Sequence, residues 1–236
     1  MKQNGILFAG LFIGIGILLC GMQINRGISK QQDSQRVISV KGLSEREIPA
    51  DRVTWPIVFK EVNNDLLALY SNLEQKNGKV ISFLKANGLS EDEIIIGAPD
   101  IIDFQAERYG SQENRFRYNG TSVITVSSSK VDIVRSLIPK TTQLIKEGIA
   151  ISANKNYEFP VNYEFSQLNS VKPEMVEEAT HNARITAEKF ASDSDSKLGK
   201  IKTATQGQMS ISNRDETTPH IKTLRVVTTI VYYLKD

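Results

Sequence analysis

His181 and His220 are the two side chains of this 236-residue chain best suited to proton transfer or metal ligation near neutral pH. Glu177 and Glu178 stand four and three residues before His181, so a helix would set a carboxylate and an imidazole on one face. That supplies one or two ligands, fewer than a closed zinc site needs. His220 follows Pro219 in a polar loop, with Asp215 and Glu216 close by. A solvated surface is the expected setting for both. The sole cysteine, Cys20, lies in an apolar run, which excludes an internal disulfide or a cysteine-based metal site in the rest of the chain. The sequence holds no G-x-S-x-G elbow, no G-x-x-x-x-G-K-[ST] loop and no G-x-G-x-x-G turn. No catalytic, cofactor-binding or metal-ligating residue is assigned, no cofactor is implied, and the expectation is a protein that is not an enzyme. A His-dependent hydrolase built on His181 or His220 is the rival reading, and a small-ligand or lipid carrier with an apolar pocket between helices and sheet is the other.

A second chemistry is recognition. Arg108, Tyr109, Arg115, Phe116, Arg117 and Tyr118 cluster around the glycine-containing tip of an expected hairpin. Arg and aromatic residues are enriched at interfaces and also stack on single-stranded nucleic acid. The alternatives are a solvated hairpin end or contact with another subunit. Lys plus Arg number 29 against 27 Asp plus Glu, a net charge of +2, which leaves no footprint of nucleic-acid binding.

Position is written at the start of the chain. Gly5 to Met22 reads GILFAGLFIGIGILLCGM, an apolar run of about 18 residues that as a helix rises roughly 27 Å and just crosses a hydrocarbon core of about 30 Å. A cleavable signal has a shorter apolar region and then a small-x-small site. Here the run ends Leu18-Leu19-Cys20-Gly21-Met22, so a retained anchor is expected, with cleavage after Gly21 and lipidation of Cys20 as alternatives. Gly10 and Gly14 form a G-x-x-x-G pair that lets two such helices approach closely. The expected domains are a transmembrane or signal-anchor segment 1–24, a polar linker 25–35 and a folded region 36–236. The short stretch before the run places the amino end in the cytoplasm and the remainder outside it.

From Arg36 the apolar pattern alternates between periods of two and of 3.6. RVISVKGL and RVTWPIVFKEV read as half-buried strands, the second with Val53, Trp55, Ile57 and Phe59 on one face. Pro56 cannot donate to a ladder and points to an edge or a bulge. Asn63, Asn64 or Asp65 caps a helix carrying Leu66, Leu69, Tyr70, Leu73, Val80, Ile81 and Leu84, which ends at Asn87-Gly88. A long hairpin follows, Glu93 to Phe104 and Arg115 to Ser128. Next comes a helix over Lys130 to Glu147 that should kink at Pro139, with Val131, Val134, Ile138 and Ile145 inward. Extended chain from Ile149 to Ser166 alternates Phe159, Val161, Tyr163 and Phe165. A third helix begins at Ser170 or Lys172, with Pro173 in its first turn, and turns Met175, Ala179, Ala183, Ala187, Phe190, Ala191 and Leu198 inward. Strands from Gly199 and over Thr223 to Leu234 complete the order β-β-α-β-β-α-β-α-β-β. This predicts an α+β fold, antiparallel β-sheets covered by long amphipathic helices, preceded by one N-terminal transmembrane helix.

The segment VISVKGLSEREIPADRVTWPIVF resembles the opening of the SIMPL domain, or DUF541, family. ISFLKANGLSEDEIII, Tyr118-Asn119-Gly120 through Val126, Lys146-Glu147-Gly148-Ile149 and EEATHNARITAEKFASDSDSKLGKIKTATQG resemble further pieces of it in order. The similarity covers about residues 36–236. It implies a bacterial envelope protein linked to oxidative or envelope stress, working without catalysis as an oligomeric scaffold or partner-binding module. Its partners would be the membrane through the N-terminal helix, further copies of itself and an envelope protein, with no nucleic acid. The implied location is the inner membrane, single pass, with the C-terminal domain in the periplasm.

Overall fold

The computed structural model describes residues 14–18, 20–23, 36–106, 115–151 and 159–235. Residues 14–18 and 20–23 are helical and exposed. Among the described residues no helix is long and apolar enough to cross a membrane; the first half of the apolar run, the linker 25–35, Gly10, Arg108 and Tyr109 lie outside them. The fold is α+β with antiparallel sheets, and the chain divides into two compact units.

One unit takes Glu47–Leu168 and Ser212–Thr223. It takes the last three residues of strand β1 (Val37–Pro49), then β2 (Arg52–Asn63) and helix α1 (Leu66–Ala86). β3 (Ile94–Ile96), β4 (Asp100–Asp103) and β5 (Tyr118–Ser128) follow, then helices α2 (Val131–Leu137) and α3 (Thr142–Lys146) and strand β6 (Asn162–Glu164). The sheet runs β3-β5-β2-β6, with β4 also on β5. Val53, Trp55, Ile57 and Phe59 alternate inward as their period of two requires, and all are buried. Asp65 proves to be the cap of α1, its carboxylate accepting the Ala68 N–H at 2.8 Å. The helix stops at Asn87, where Gly88 adopts φ +96°.

Three expectations need correction in this unit. β2 is an inner strand, not an edge. Pro56 is tolerated because it pairs with Thr125 on one side only: on the other, β6 pairing stops at Thr54 and the next bridge is Phe59 to Ile151. The strand expected over Glu93 to Phe104 is two short strands, since Gly97-Ala98-Pro99 breaks it, although the Gly97 N–H still reaches the Val123 carbonyl at 3.0 Å. Pro139 does interrupt the next helix, through a 3₁₀ turn over Ile138–Thr141. The turn rotates the second half, so Leu137 and Leu144 are buried while Ile145 is 60% exposed.

The other unit takes Met1–Arg46, Asn169–Ile211 and Leu224–Asp236. It contains helix α4 (Leu168–Asp193) and strands β7 (Lys197–Gln206), β8 (Ser210–Asn213) and β9 (Ile221–Lys235), with the start of β1. β9 is central, flanked by β1 on one side and by β7 and β8 on the other. α4 buries Met175, Ala179, Ala183, Ala187 and Ala191, and Ala183 and Ala187 pack in one cluster with Val40, Ile230 and Tyr232. Gly42 is where the helix comes closest: a Cβ there would lie 1.8 Å from the Ala179 carbonyl oxygen and 2.5 Å from the Ala183 nitrogen. α4 starts earlier than expected, so Pro173 sits in its second turn and deprives only the Asn169 carbonyl of a helical partner. Phe190, expected inward, is 57% exposed.

Candidate functional site

The Arg–aromatic cluster is only partly a free surface. Tyr118 opens β5 and is half-buried, and Arg115 to Arg117 precede it. Arg117 grips the Asp103 carboxylate at the end of β4, Nη2 to Oδ2 at 2.9 Å and Nε to Oδ1 at 3.2 Å. Its own N–H donates to Asn64 Oδ1 at 2.9 Å, and its carbonyl accepts from Phe104 at 2.9 Å. The Arg117 guanidinium holds the Asp103 carboxyl below its ordinary range. Its other face lies 4.8 Å from the Tyr118 ring, while Arg115 lies 5.7 Å from the Phe116 ring. Arg117 therefore clamps the ends of β4 and β5, and Arg115 and Phe116 are the outward pair.

A second brace holds the opposite end of that sheet. Glu93 accepts from the Ser90 N–H at 2.8 Å, Ser128 Oγ at 2.5 Å and Lys130 Nζ at 2.8 Å. Burial pushes its pKa up, but the bonds from Lys130, Ser128 and Ser90 outweigh that and leave it at about 2.

The histidines belong to different units. His220 is half-buried, edge-on to Tyr163 with ring centroids 6.1 Å apart. Burial first, then Arg135 and Arg214, lowers its pKa. Asp215, its expected neighbour, turns instead to the hydroxyls and N–H groups of Thr217 and Thr218 and to Arg214. His181 faces an open groove of about 990 Å³ between α4 and β7. The groove has an apolar floor, Leu198, Ile201 and Tyr232, and Glu177, His181 and Arg184 on its helical wall. Glu178 lines the groove as well, but its carboxylate is engaged: it accepts from Ser44 Oγ at 2.9 Å and from Arg46 Nη2 at 3.1 Å. Among the described residues no group of three His, Cys, Asp or Glu side chains converges as a metal site would require. The groove is the feature that sequence reasoning missed. Its only sequence signal is Ile201, an apolar residue in a lysine-rich strand, because its walls meet through strand order rather than through spacing.

These features define an α+β protein of two antiparallel sheets, each with helices over one face, whose chemistry-bearing side chains are engaged as braces and surface pairs. Residues 38–231 match the family described as SIMPL, Protein of unknown function (DUF541), and the chain belongs to that family. No curated protein matches the chain.

Proposed function

We propose that this chain is a membrane-anchored, exported SIMPL-domain protein that acts without catalysis, as a self-associating scaffold or partner-binding module of the bacterial envelope serving its stress response. The apolar run Gly5 to Met22 supports the anchor. The observation that carries partner binding is β7, the outermost strand on its side of the sheet, exposed along nearly all of its length with Ile201 51% exposed. An edge of this kind leaves a row of N–H and C=O groups open to another strand. Arg115 and Phe116, with Arg108 and Tyr109 beside them in sequence, offer a second contact surface. Holding copies in one membrane raises their effective concentration, and Gly10 with Gly14 suits helix pairing there. The test is the native mass of the full chain extracted in mild detergent. An oligomer that falls to monomer in Ile201→Lys is expected; a monomer in both removes the scaffold. His181→Ala and His220→Ala are expected to leave cellular behaviour unchanged.

The apolar floor of the α4–β7 groove favours one second reading, a carrier of a small apolar ligand or lipid. Native mass spectra of the purified chain test it: a bound lipid supports the carrier, and a clean apo mass removes it.

A further inference from the structure

One face of the β1-β9-β7 sheet is covered by α4, and the opposite face carries a charge pattern of its own. The alternation of β9 buries Leu224, Val226, Thr228, Ile230 and Tyr232 and so sends Val231 and Tyr233 to the other side. Lys41 projects to that side too, since Val40 and Gly42 are its buried neighbours on β1. Lys197 pairs with Lys235 on the same side, and Lys202 joins them, its Nζ lying 5.6 Å from the centre of the Tyr233 ring. The Leu234 N–H donates to the Arg36 carbonyl at 2.8 Å, which sets the start of β1 beside the end of β9. Three exposed lysines, Lys197, Lys202 and Lys235, thus gather at one end of this face, with Lys41 five residues further along β1 from Arg36, and among the described residues none of the four has a carboxylate partner. Residues 36–44, all of β7 and all of β9 contain no Asp or Glu; the nearest carboxylates in sequence are Asp195, two residues before Lys197, and Asp236, which follows Lys235. Glu45, further along β1, faces Arg225 at 4.0 Å and does not compensate them.

The same end is where the chain arrives from its apolar run. Thirteen residues, Gln23 to Gln35, separate Met22 from Arg36, and even fully extended they reach no more than about 45 Å. Arg26 and Lys30 lie within that leash against the single carboxylate of Asp33. We propose that the face bearing Lys41, Lys197, Lys202 and Lys235 around Tyr233 rests on an anionic lipid surface. This rests on the anchored reading above. Lysines within a Debye length of an anionic leaflet are each attracted to it, and a tyrosine ring suits the headgroup level. At about fivefold per lysine, the four together favour the docked over the undocked state by roughly 100-fold or more at low salt.

The test uses the full chain with Cys20→Ser and a fluorescent donor attached at Thr205→Cys, on the same face of β7. It is reconstituted into vesicles of phosphatidylcholine alone or mixed with phosphatidylglycerol, with an acceptor on the headgroups. Retention on phosphatidylcholine vesicles reads the anchor alone. The expected result is retention on both lipids, with energy transfer that rises on the anionic vesicles and falls in high salt. It falls also when Lys41, Lys197, Lys202 and Lys235 are all changed to Gln, with thermal unfolding unchanged. Retention with transfer indifferent to lipid charge and to the Gln changes overturns the docking and leaves the anchor standing. Lysine-dependent binding to anionic vesicles without retention on phosphatidylcholine sustains the docking and overturns the anchor. Binding to neither overturns both. If the anionic vesicles give no transfer while soluble polyglutamate shields these lysines from acylation, the face belongs to an acidic protein and the lipid proposal fails.

Discussion

Helix α1 meets its sheet through Leu69, Leu73, Val80 and Leu84, packed on Trp55, Ile57, Phe59 and Ile124. Helix α4 meets the other sheet through alanines and Gly42. The first contact is thick and made of side chains that interlock; the second is thin and brings helix backbone onto strand backbone. The same fold class therefore contains two cores with opposite sensitivities. One is damaged by removing volume, the other by adding it.

Substitutions can break or sharpen that contrast, each read by chemical denaturation of the full chain in detergent. Phe59→Ala is expected to cost the most, about 4 kcal/mol, because a fully buried ring leaves a cavity amid large neighbours. Gly42→Ala comes next at about 3 kcal/mol, since the added methyl meets the Ala179 carbonyl and the Ala183 nitrogen, which cannot move without the helix. Gly120→Ala is the matched control in the thick core. There the new Cβ meets the Leu73 Cδ1 at 2.8 Å and the Leu69 Cδ2 at 3.2 Å, side-chain tips that can rotate away, and about 1 kcal/mol is expected. Equal costs at Gly42 and Gly120 would abolish the distinction between the two packings.

Glu93→Gln should cost about 2 kcal/mol, the order expected when a charged hydrogen-bond partner is removed from a buried network. Its pH dependence is the sharper reading. The folded pKa lies at about 2 against an ordinary 4.5, so the stabilisation is complete above about pH 4.5 and is lost as pH falls from there towards 2. Wild type should therefore lose stability through that window more steeply than the Gln variant. Smallest of all, Arg117→Lys should leave global stability nearly unchanged, as the pair with Asp103 is solvent-screened at the surface. Its effect should be on local amide exchange at the ends of β4 and β5.

The strong periodicities were legible. Val53, Trp55, Ile57 and Phe59 are buried in the order their alternation implies, and so are the alanines at steps of four in α4. The errors fall where a pattern is met by a single layer. Leu66, Tyr70 and Phe190 share their helices' apolar faces, yet they are 44%, 46% and 57% exposed, since helical period alone does not say how much of an apolar face a neighbouring layer covers. Pro56 sits in an inner strand because β6 is short, a fact about a different part of the chain. For the site, Arg117 was legible as part of a cluster, but its role as a clamp depends on Asp103 across the hairpin. The lysines at 41, 197, 202 and 235 are scattered in sequence and become one face only through the β1-β9-β7 order. Residue types are local information, and strand order is not.

The anchored reading is tested most directly by washing membranes from cells making the full chain with alkaline carbonate and weighing the retained polypeptide by intact mass spectrometry. The account predicts a membrane-bound chain that still begins with residues 1–22 and is cut by protease added from outside the cytoplasm. A soluble polypeptide beginning after Gly21 would contradict it.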